Sequence, residues 1–229
     1  GKGESFRDTL LTMSYMGTDA IVMRHSAEGA PLYATKAVDP IIINAGDGAH
    51  EHPTQALLDM YSILEKKESI EGLKVVILGD IMHSRVARSN IYGLTKMGAD
   101  VHLAGPRTMV YPELEKLGVT VHHDIREAVV DADVVNVLRI QLERIHSALY
   151  PTNREYARIF GINNDVLKLA KDDVMVMHPG PMNRGLEIAP DVAYSDQSVI
   201  QEQVRNGVAI RMAVLYLTII GGDGSELAY

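Results

Sequence analysis

Apolar residues recur along this chain in two ways, at every third or fourth position in some stretches and as short unbroken runs in others, and the two kinds alternate. Positions 5–16 set Phe6, Leu10, Met13 and Met16 on neighbouring helical faces, which predicts an amphipathic helix. Short β-rich runs follow at 19–23 and 40–44. Over 53–65 a proline suits the first turn, and Ala56, Leu57, Met60, Ile63 and Leu64 recur at helical spacing, predicting a second helix. The polar run over 65–72 is the best linker candidate.

Beyond it the rhythm is regular. Strands are predicted at 74–78, 100–104, 119–122, 133–138 and 173–177, with a helix over 84–97 closed by Gly98. Short, nearly continuous apolar strands separated by helical segments describe an α/β protein with doubly wound parallel sheets. In such sheets ligands bind beyond the carboxyl ends of the strands. The last helix, 198–219, collects Val204, Val208, Met212, Leu215 and Ile219 on one face, and Gly207 weakens it slightly. There are no internal repeats and no low-complexity stretches.

Composition narrows the class. The 229 residues are 46% apolar and 23% charged, enough for one large globular domain or two modest ones. With 30 acidic and 22 basic residues the net charge is −8, which argues against broad binding to nucleic acid or to an anionic membrane, so an anionic ligand needs a local basic pocket. The absence of cysteine excludes disulfides, thiolate metal sites and cysteine nucleophiles. The longest apolar stretch, 212–222, is too short to cross a bilayer, and the first residues hold no apolar signal core, so a cytoplasmic location is expected. A chain that opens directly into a helical pattern suggests that something upstream is missing.

The chemistry gathers at the strand ends. Arg24 and His25 follow the first strand, Gly46-Asp47-Gly48 and His52 the second, and Asp80 and Arg85 the third. Arg139 and Gln141 follow another, and His178-Pro179-Gly180-Pro181 the last. A single arginine after a strand is usually a solvated loop residue; recurrence on one sheet edge points to an anion. The segment 46–55 is the most distinctive, because Pro53 starts a helix whose free N–H groups and dipole favour negative charge, with His52 and Gln55 on one side of it. Two plainer readings stand beside this one. His52 merely caps the helix, or His50 and His52 form a metal-binding pair completed by Asp47, Asp80 or His178, although no recognised zinc spacing appears. The turn at Gly79 lacks the Gly-x-Gly-x-x-Gly spacing of a dinucleotide site, and no nucleophile elbow is present for serine hydrolase chemistry. Gly180-Pro181 is a candidate cis peptide.

Together these motifs resemble the aspartate carbamoyltransferase catalytic-chain family. The residues that carry the resemblance are Lys2-Gly3-Glu4-Ser5, Arg24-His25, Gly46-Asp47-Gly48 with His52-Pro53-Thr54-Gln55, Gly79-Asp80 with Ser84-Arg85, Arg139-Ile140-Gln141 with Glu143-Arg144, and His178 to Pro181. His-Pro-Thr-Gln is shared with ornithine carbamoyltransferases. The Arg-x-Gln-x-Glu-Arg loop and a final turn without cysteine favour the aspartate side. The resemblance implies a carbamoyltransferase fold of two doubly wound parallel-sheet domains, the first truncated at its N-terminus. The remainder of a carbamoyl phosphate-binding domain would cover 1–66, an aspartate-binding domain 67–197, and a C-terminal helix, 198–229, would return to the first.

The implied activity is transfer of the carbamoyl group of carbamoyl phosphate to L-aspartate, giving N-carbamoyl-L-aspartate and phosphate in de novo pyrimidine biosynthesis. Arg24, His52 and Gln55 would bind carbamoyl phosphate, the first two at its carbonyl oxygen and Gln55 at its amino group. The backbone carbonyls of Pro179 and Gly180 would accept from that amino group and from the attacking amine. Arg85, Arg139 and Gln141 would hold the carboxylates of aspartate. Lys2, on a loop that enters the neighbouring subunit's site, would join His52 and Arg24 in catalysis and touch aspartate, making a homotrimer the minimal active unit. No metal or cofactor is implied, and a regulatory chain or a dihydroorotase would be a further partner. The family's Ser-Thr-Arg-Thr phosphate-binding turn would lie upstream of Gly1, so the chain is expected to be a piece of a longer protein. The alternatives are a related carbamoyltransferase of ornithine type, a non-catalytic homologue beside a dihydroorotase, and a metal-dependent hydrolase using His50 and His52.

Overall fold

The computed structural model describes residues 3–141 and 152–221. Ser5 caps the first helix, accepting from the Asp8 N–H at 3.1 Å, and α1 (Phe6–Tyr15) leads into β1 (Ala20–His25), α2 (Ala30–Ala37), β2 (Ile41–Asp47) and α3 (Pro53–Lys67). Strands β1 and β2 pair in parallel, Ala20 opposite Ile41 and Val22 opposite Ile43. Leu10, Ile21, Met23, Ala30 and Ala34 form the small core beneath them. Helix α2 has no counterpart among the sequence expectations, because its eight residues begin with Ala30-Pro31 and bury only Ala30, Pro31 and Ala34. The expected linker also starts later, since α3 continues to Lys67 and ends where Glu68 takes a left-handed conformation.

The second unit alternates β3 (Lys74–Leu78), α4 (Arg85–Lys96), β4 (Asp100–Ala104), a 3-10 turn (Pro112–Leu117), β5 (Thr120–His122), α5 (Ile125–Val129) and β6 (Val134–Val137). It continues with α6 (Asn153–Phe160), α7 (Asn164–Leu167), β7 (Met175–Met177) and α8 (Pro190–Ala193) before the long α9 (Ile200–Ile220). Its five strands run in the order β5-β4-β3-β6-β7, all parallel. Alternate residues feed two cores. Val75, Ile77, Val101, Leu103 and Met177 face one layer of helices, and Val76, Leu78, Ala104, Val135 and Val176 face the other. Burial on both faces explains why these strands read as continuous apolar runs.

The last helix departs from the sequence pattern. The expected apolar face lies outward, with Val204 66% and Met212 65% exposed, while Gln203, Asn206 and Gly207 are buried. Helix α9 therefore meets α3 through polar groups: Asn206 Nδ2 donates to Ser62 Oγ at 3.0 Å and to Glu65 Oε2 at 2.9 Å, and Arg205 pairs with Glu65. Gly207 is what permits the approach, because a Cβ there would lie 3.3 Å from Leu58 Cδ2 and 2.5 Å from Arg211 Nη1. No helix among the described residues is long and apolar enough to cross a membrane.

The Gly207→Val variant should be less stable by about 1–3 kcal/mol, the usual cost of overpacking, because α9 must lift from α3. Urea unfolding monitored by circular dichroism measures this, and an unchanged midpoint would show that the close approach is not required.

Candidate active site

A cleft of about 310 Å³ opens where the carboxyl ends of the strands from both units meet. Its lining includes Arg24 at the end of β1, His52 and Gln55 beyond β2, Arg85 beyond β3, Arg139 and Gln141 beyond β6, and Pro179 and Gly180 beyond β7. The structure thus gathers every site residue named from the sequence except Lys2, which lies outside the described residues with Glu143 and Arg144. It adds Ser84, Val86, Pro181 and Arg211.

Two helix N-termini face this space. Pro53 opens α3, and Ser84 caps α4 by accepting from the Ala87 N–H at 3.1 Å, so Arg85 is the first residue of its helix. Both dipoles favour an anion in the cleft. Arg85 is buried and donates to the Gly48 carbonyl at 3.3 Å. Gly46, at φ +120°, leaves room for it: a Cβ there would sit 2.8 Å from the Arg85 Cζ. The glycines that read as a tight turn therefore also make the slot for a guanidinium.

His52 occupies the cap position of α3 without a side-chain cap bond, and its Nδ1 is buried with no hydrogen-bond partner. Its backbone N–H donates to Ser89 Oγ at 2.9 Å, and the Ser89 hydroxyl donates to Glu51, so α4 grips the segment that carries the imidazole. Burial, and then the positive charges of Arg85, Arg24 and Arg211, push His52 down to about 4. A neutral imidazole can donate one hydrogen bond to an oxygen that gains negative charge.

The supporting turns use the other polar residues. Asp47 accepts from the Gly29 N–H, the Glu51 N–H and Asn44 Nδ2 and meets His50 Nδ1 at 3.1 Å; burial pushes its carboxyl up, but these bonds prevail and hold it below the usual range. Asp80 bonds the His83 ring and backbone. His25 accepts from the Ala27 N–H and packs on Phe6 with ring centroids 4.8 Å apart. His178 is fully buried: its Nδ1 accepts from the Gly180 N–H at 2.9 Å, so its Nε2 carries the proton toward Glu187 at 3.1 Å. The Gly180-Pro181 bond is cis, as anticipated. Of the proposed metal ligands, Asp47, His50, Asp80 and His178 are engaged in these bonds, and no cluster of three or more His, Asp or Glu side chains among the described residues is arranged to hold a metal ion. Arg211 escaped the strand-end search because it projects from mid-helix, although it is the only charged residue between 206 and 220.

Four arginines, a neutral histidine and two amides around one cleft at the strand ends of parallel α/β sheets make a site suited to anionic ligands. Residues 1–65 match the carbamoyl-P binding domain of the aspartate/ornithine carbamoyltransferases, and residues 71–218 match the Asp/Orn binding domain of the same family. The chain belongs to the aspartate/ornithine carbamoyltransferase family. Among its relatives, the aspartate carbamoyltransferase catalytic subunit of Desulforamulus reducens is 60% identical over 99% of this chain and 72% of its own length. That of Heliobacterium modesticaldum is 62% identical over 98% of this chain and 72% of its own. Among solved structures, aspartate transcarbamoylase from Trypanosoma cruzi in complex with phosphate superposes with a TM-score of 0.81 at 31% identity, covering 94% of this chain and 71% of that one. Ornithine carbamoyltransferase from Pyrococcus furiosus gives 0.83 at 33% identity, covering 97% and 73%.

The folded-state value of His52, about 4, lies below the unfolded value of 6.5, so the unfolded chain binds more protons between them. His52 should therefore stay neutral at pH 6 by 15N NMR, and its contribution to stability should fall as pH drops from 6.5 toward 4. An imidazole titrating at 6.5 in the folded protein would contradict this.

Proposed function

We propose that this cleft joins carbamoyl phosphate to L-aspartate, giving N-carbamoyl-L-aspartate and phosphate, as a step of pyrimidine biosynthesis. The observation that carries this reading is that Arg24, His52, Gln55, Arg85, Arg139, Gln141, Pro179 and Gly180 line one cleft. Relatives about 60% identical that are named aspartate carbamoyltransferase catalytic subunits support it. So does the T. cruzi aspartate transcarbamoylase, whose structures hold carbamoyl phosphate with aspartate and N-(phosphonacetyl)-L-aspartic acid.

In this reading Arg24 and the neutral His52 donate to the carbamoyl oxygen, which becomes an oxyanion when the aspartate amine adds to the carbon. Gln55 accepts from the carbamoyl amino group, and the Pro179 and Gly180 carbonyls accept from that group and from the incoming amine. The tetrahedral intermediate then expels phosphate, which takes up the proton released by the amine. Arg85 and Arg139 hold the aspartate carboxylates with forked guanidiniums, and Gln141 assists. Holding the two reactants in line can supply roughly 7–11 kcal/mol of the barrier, and each donor to the oxyanion about 2.7–4 kcal/mol. An ornithine side chain would bring a cation against Arg85 and Arg139, which favours aspartate as the acceptor. The likeness of Lys2-Gly3-Glu4-Ser5 to the family's motif supports a homotrimer in which each subunit lends Lys2 to its neighbour's site. The chain divides into a carbamoyl phosphate-binding part at 1–66, an aspartate-binding part at 67–197 and a returning segment at 198–229 that carries α9; the family match breaking between 65 and 71, and the seam between α3 and α9, support this division.

The protein should form carbamoyl aspartate and bind N-(phosphonacetyl)-L-aspartate by calorimetry. The Arg139→Ala variant should raise the KM for aspartate by about tenfold or more, the cost of a lost charge-assisted hydrogen bond, with the KM for carbamoyl phosphate little changed. Absence of binding, or unchanged aspartate kinetics in the variant, would overturn the reading.

A further inference from the structure

Behind the cleft lies a carboxylate that is not part of its lining. Asp59 sits one helical turn beyond Gln55 on α3 and is completely buried. Its Oδ1 accepts from Gln55 Nε2 at 2.9 Å and from Gln203 Nε2 at 2.8 Å, and its Oδ2 accepts from Asn90 Nδ2 at 2.7 Å. Asn136 of β6 is a fourth carboxamide that favours its charged form. All of these partners are neutral amides, drawn from α3, α4, α9 and the sheet.

An ionised carboxylate only accepts hydrogen bonds. Each carboxamide that meets it must therefore turn its NH2 inward and its carbonyl oxygen away. The Asn90 and Asn136 oxygens are left buried without hydrogen-bond partners, a cost that accompanies turning both NH2 groups toward the carboxylate. For Gln203, the same constraint aims Oε1 at the His178 N–H, 2.9 Å away, at the start of the 178–181 turn. For Gln55 it aims the oxygen into the cleft. Without the carboxylate a glutamine amide could present either end to a ligand, because the two ends are nearly the same shape.

We propose that Asp59 is a positioning residue that fixes the Gln55 amide with its oxygen toward the cleft, so that the site selects a ligand bearing an NH2 group next to its carbonyl. The proposal rests on the carbamoyl phosphate reading above. It assigns the selection of a carbamoyl over an acyl group to a residue that never meets the ligand. Burial raises Asp59 to about 6 against the lowering effect of the surrounding amides, so at pH 8 the carboxylate is ionised and holds this orientation.

The experiment compares carbamoyl phosphate with acetyl phosphate, which carries methyl in place of the amino group. At pH 8 the KM for carbamoyl phosphate and the inhibition constant of acetyl phosphate against it are measured for the parent, Asp59→Asn and Asn90→Ala. In Asp59→Asn the Gln55 amide is free to turn, and the preference for carbamoyl phosphate should fall by about tenfold, the worth of one hydrogen bond replaced by an opposed donor, while acetyl phosphate binds as before. Asn90→Ala removes the bond to the other carboxylate oxygen, leaves the Gln55 bond to Oδ1 in place, and should lower Tm while keeping the preference. Asp59→Ser, smaller and able to donate, serves the same measurement if the amide variant does not fold. Preserved preference in the Asp59 variants, or an equal loss in Asn90→Ala, overturns the positioning role while the carbamoyl phosphate reading stands. A parent that does not distinguish the two phosphates overturns both.

Discussion

Everything in the cleft depends on how helix α3 is seated. Its first turn carries His52 and Gln55, its middle carries Asp59 and Ser62, and its last turns carry Glu65 and Lys67. Asp59, Ser62, Glu65 and Lys67 bond outward to the second unit, through Asn90 of α4, Gln203, Arg205 and Asn206 of α9, or Asp173 before β7, the His52 backbone bonds Ser89 of α4, and Gln55 is held through Asp59. The joint between the two sheets thus combines apolar packing, with Ile63 and Met60 of α3 seated on the larger core, and a row of directed hydrogen bonds. Each such bond contributes only about 0.5–1.5 kcal/mol net, but its geometry is narrow and leaving a partner unmet costs more. The apolar contacts hold α3 down, and the hydrogen bonds set its orientation, which suits walls that must meet two reactants at bonding distance.

The same seating governs the electrostatics. The chain has a net charge of −8, yet the cleft assembles Arg24, Arg85, Arg139 and Arg211 with two helix N-termini. Such a concentration is unfavourable while the cleft is empty, and burial together with these charges keeps His52 neutral. Arg85 is buried against the bare backbone of Gly46 and bonds the Gly48 carbonyl, so its guanidinium is fixed before any carboxylate arrives. The charges are preorganised, and an entering anion replaces repulsion with pairing.

The legible part of this molecule was the part governed by short-range rules. The five strands of the larger sheet appear in the sequence because burial on both faces makes them unbroken apolar runs, and the residues at their ends appear because parallel sheets bind ligands there. Less legible were features that depend on long-range packing. Asp59, Asn90 and Gln203 look like the solvated face of three ordinary helices, separated by up to 144 positions, and only the fold brings them together. Helix α9 shows the same limit in reverse: Val204, Val208 and Met212 have the spacing of a buried stripe, yet the face that meets α3 is Gln203, Asn206 and Gly207. Arg211 was invisible to a search of strand ends because it reaches the cleft from the side of a helix.

The polar seam and the selectivity of the cleft are two consequences of one choice. An apolar seam would bury α9 more firmly, by roughly 25 cal/mol per Å² of apolar area, but apolar contacts are not directional and would leave the Gln55 amide able to turn. A buried carboxylate ringed by amides sacrifices stability, since burial raises its energy and strands the Asn90 and Asn136 oxygens. In return every amide around it has one orientation, including the two whose far ends reach the cleft and the 178–181 turn. Half-satisfied polar clusters usually mark errors or strain in a core. Here the unsatisfied oxygens face away from the carboxylate, as they must if its acceptors take precedence, and the strain is what specifies the hydrogen-bonding sense of a side chain at the cleft.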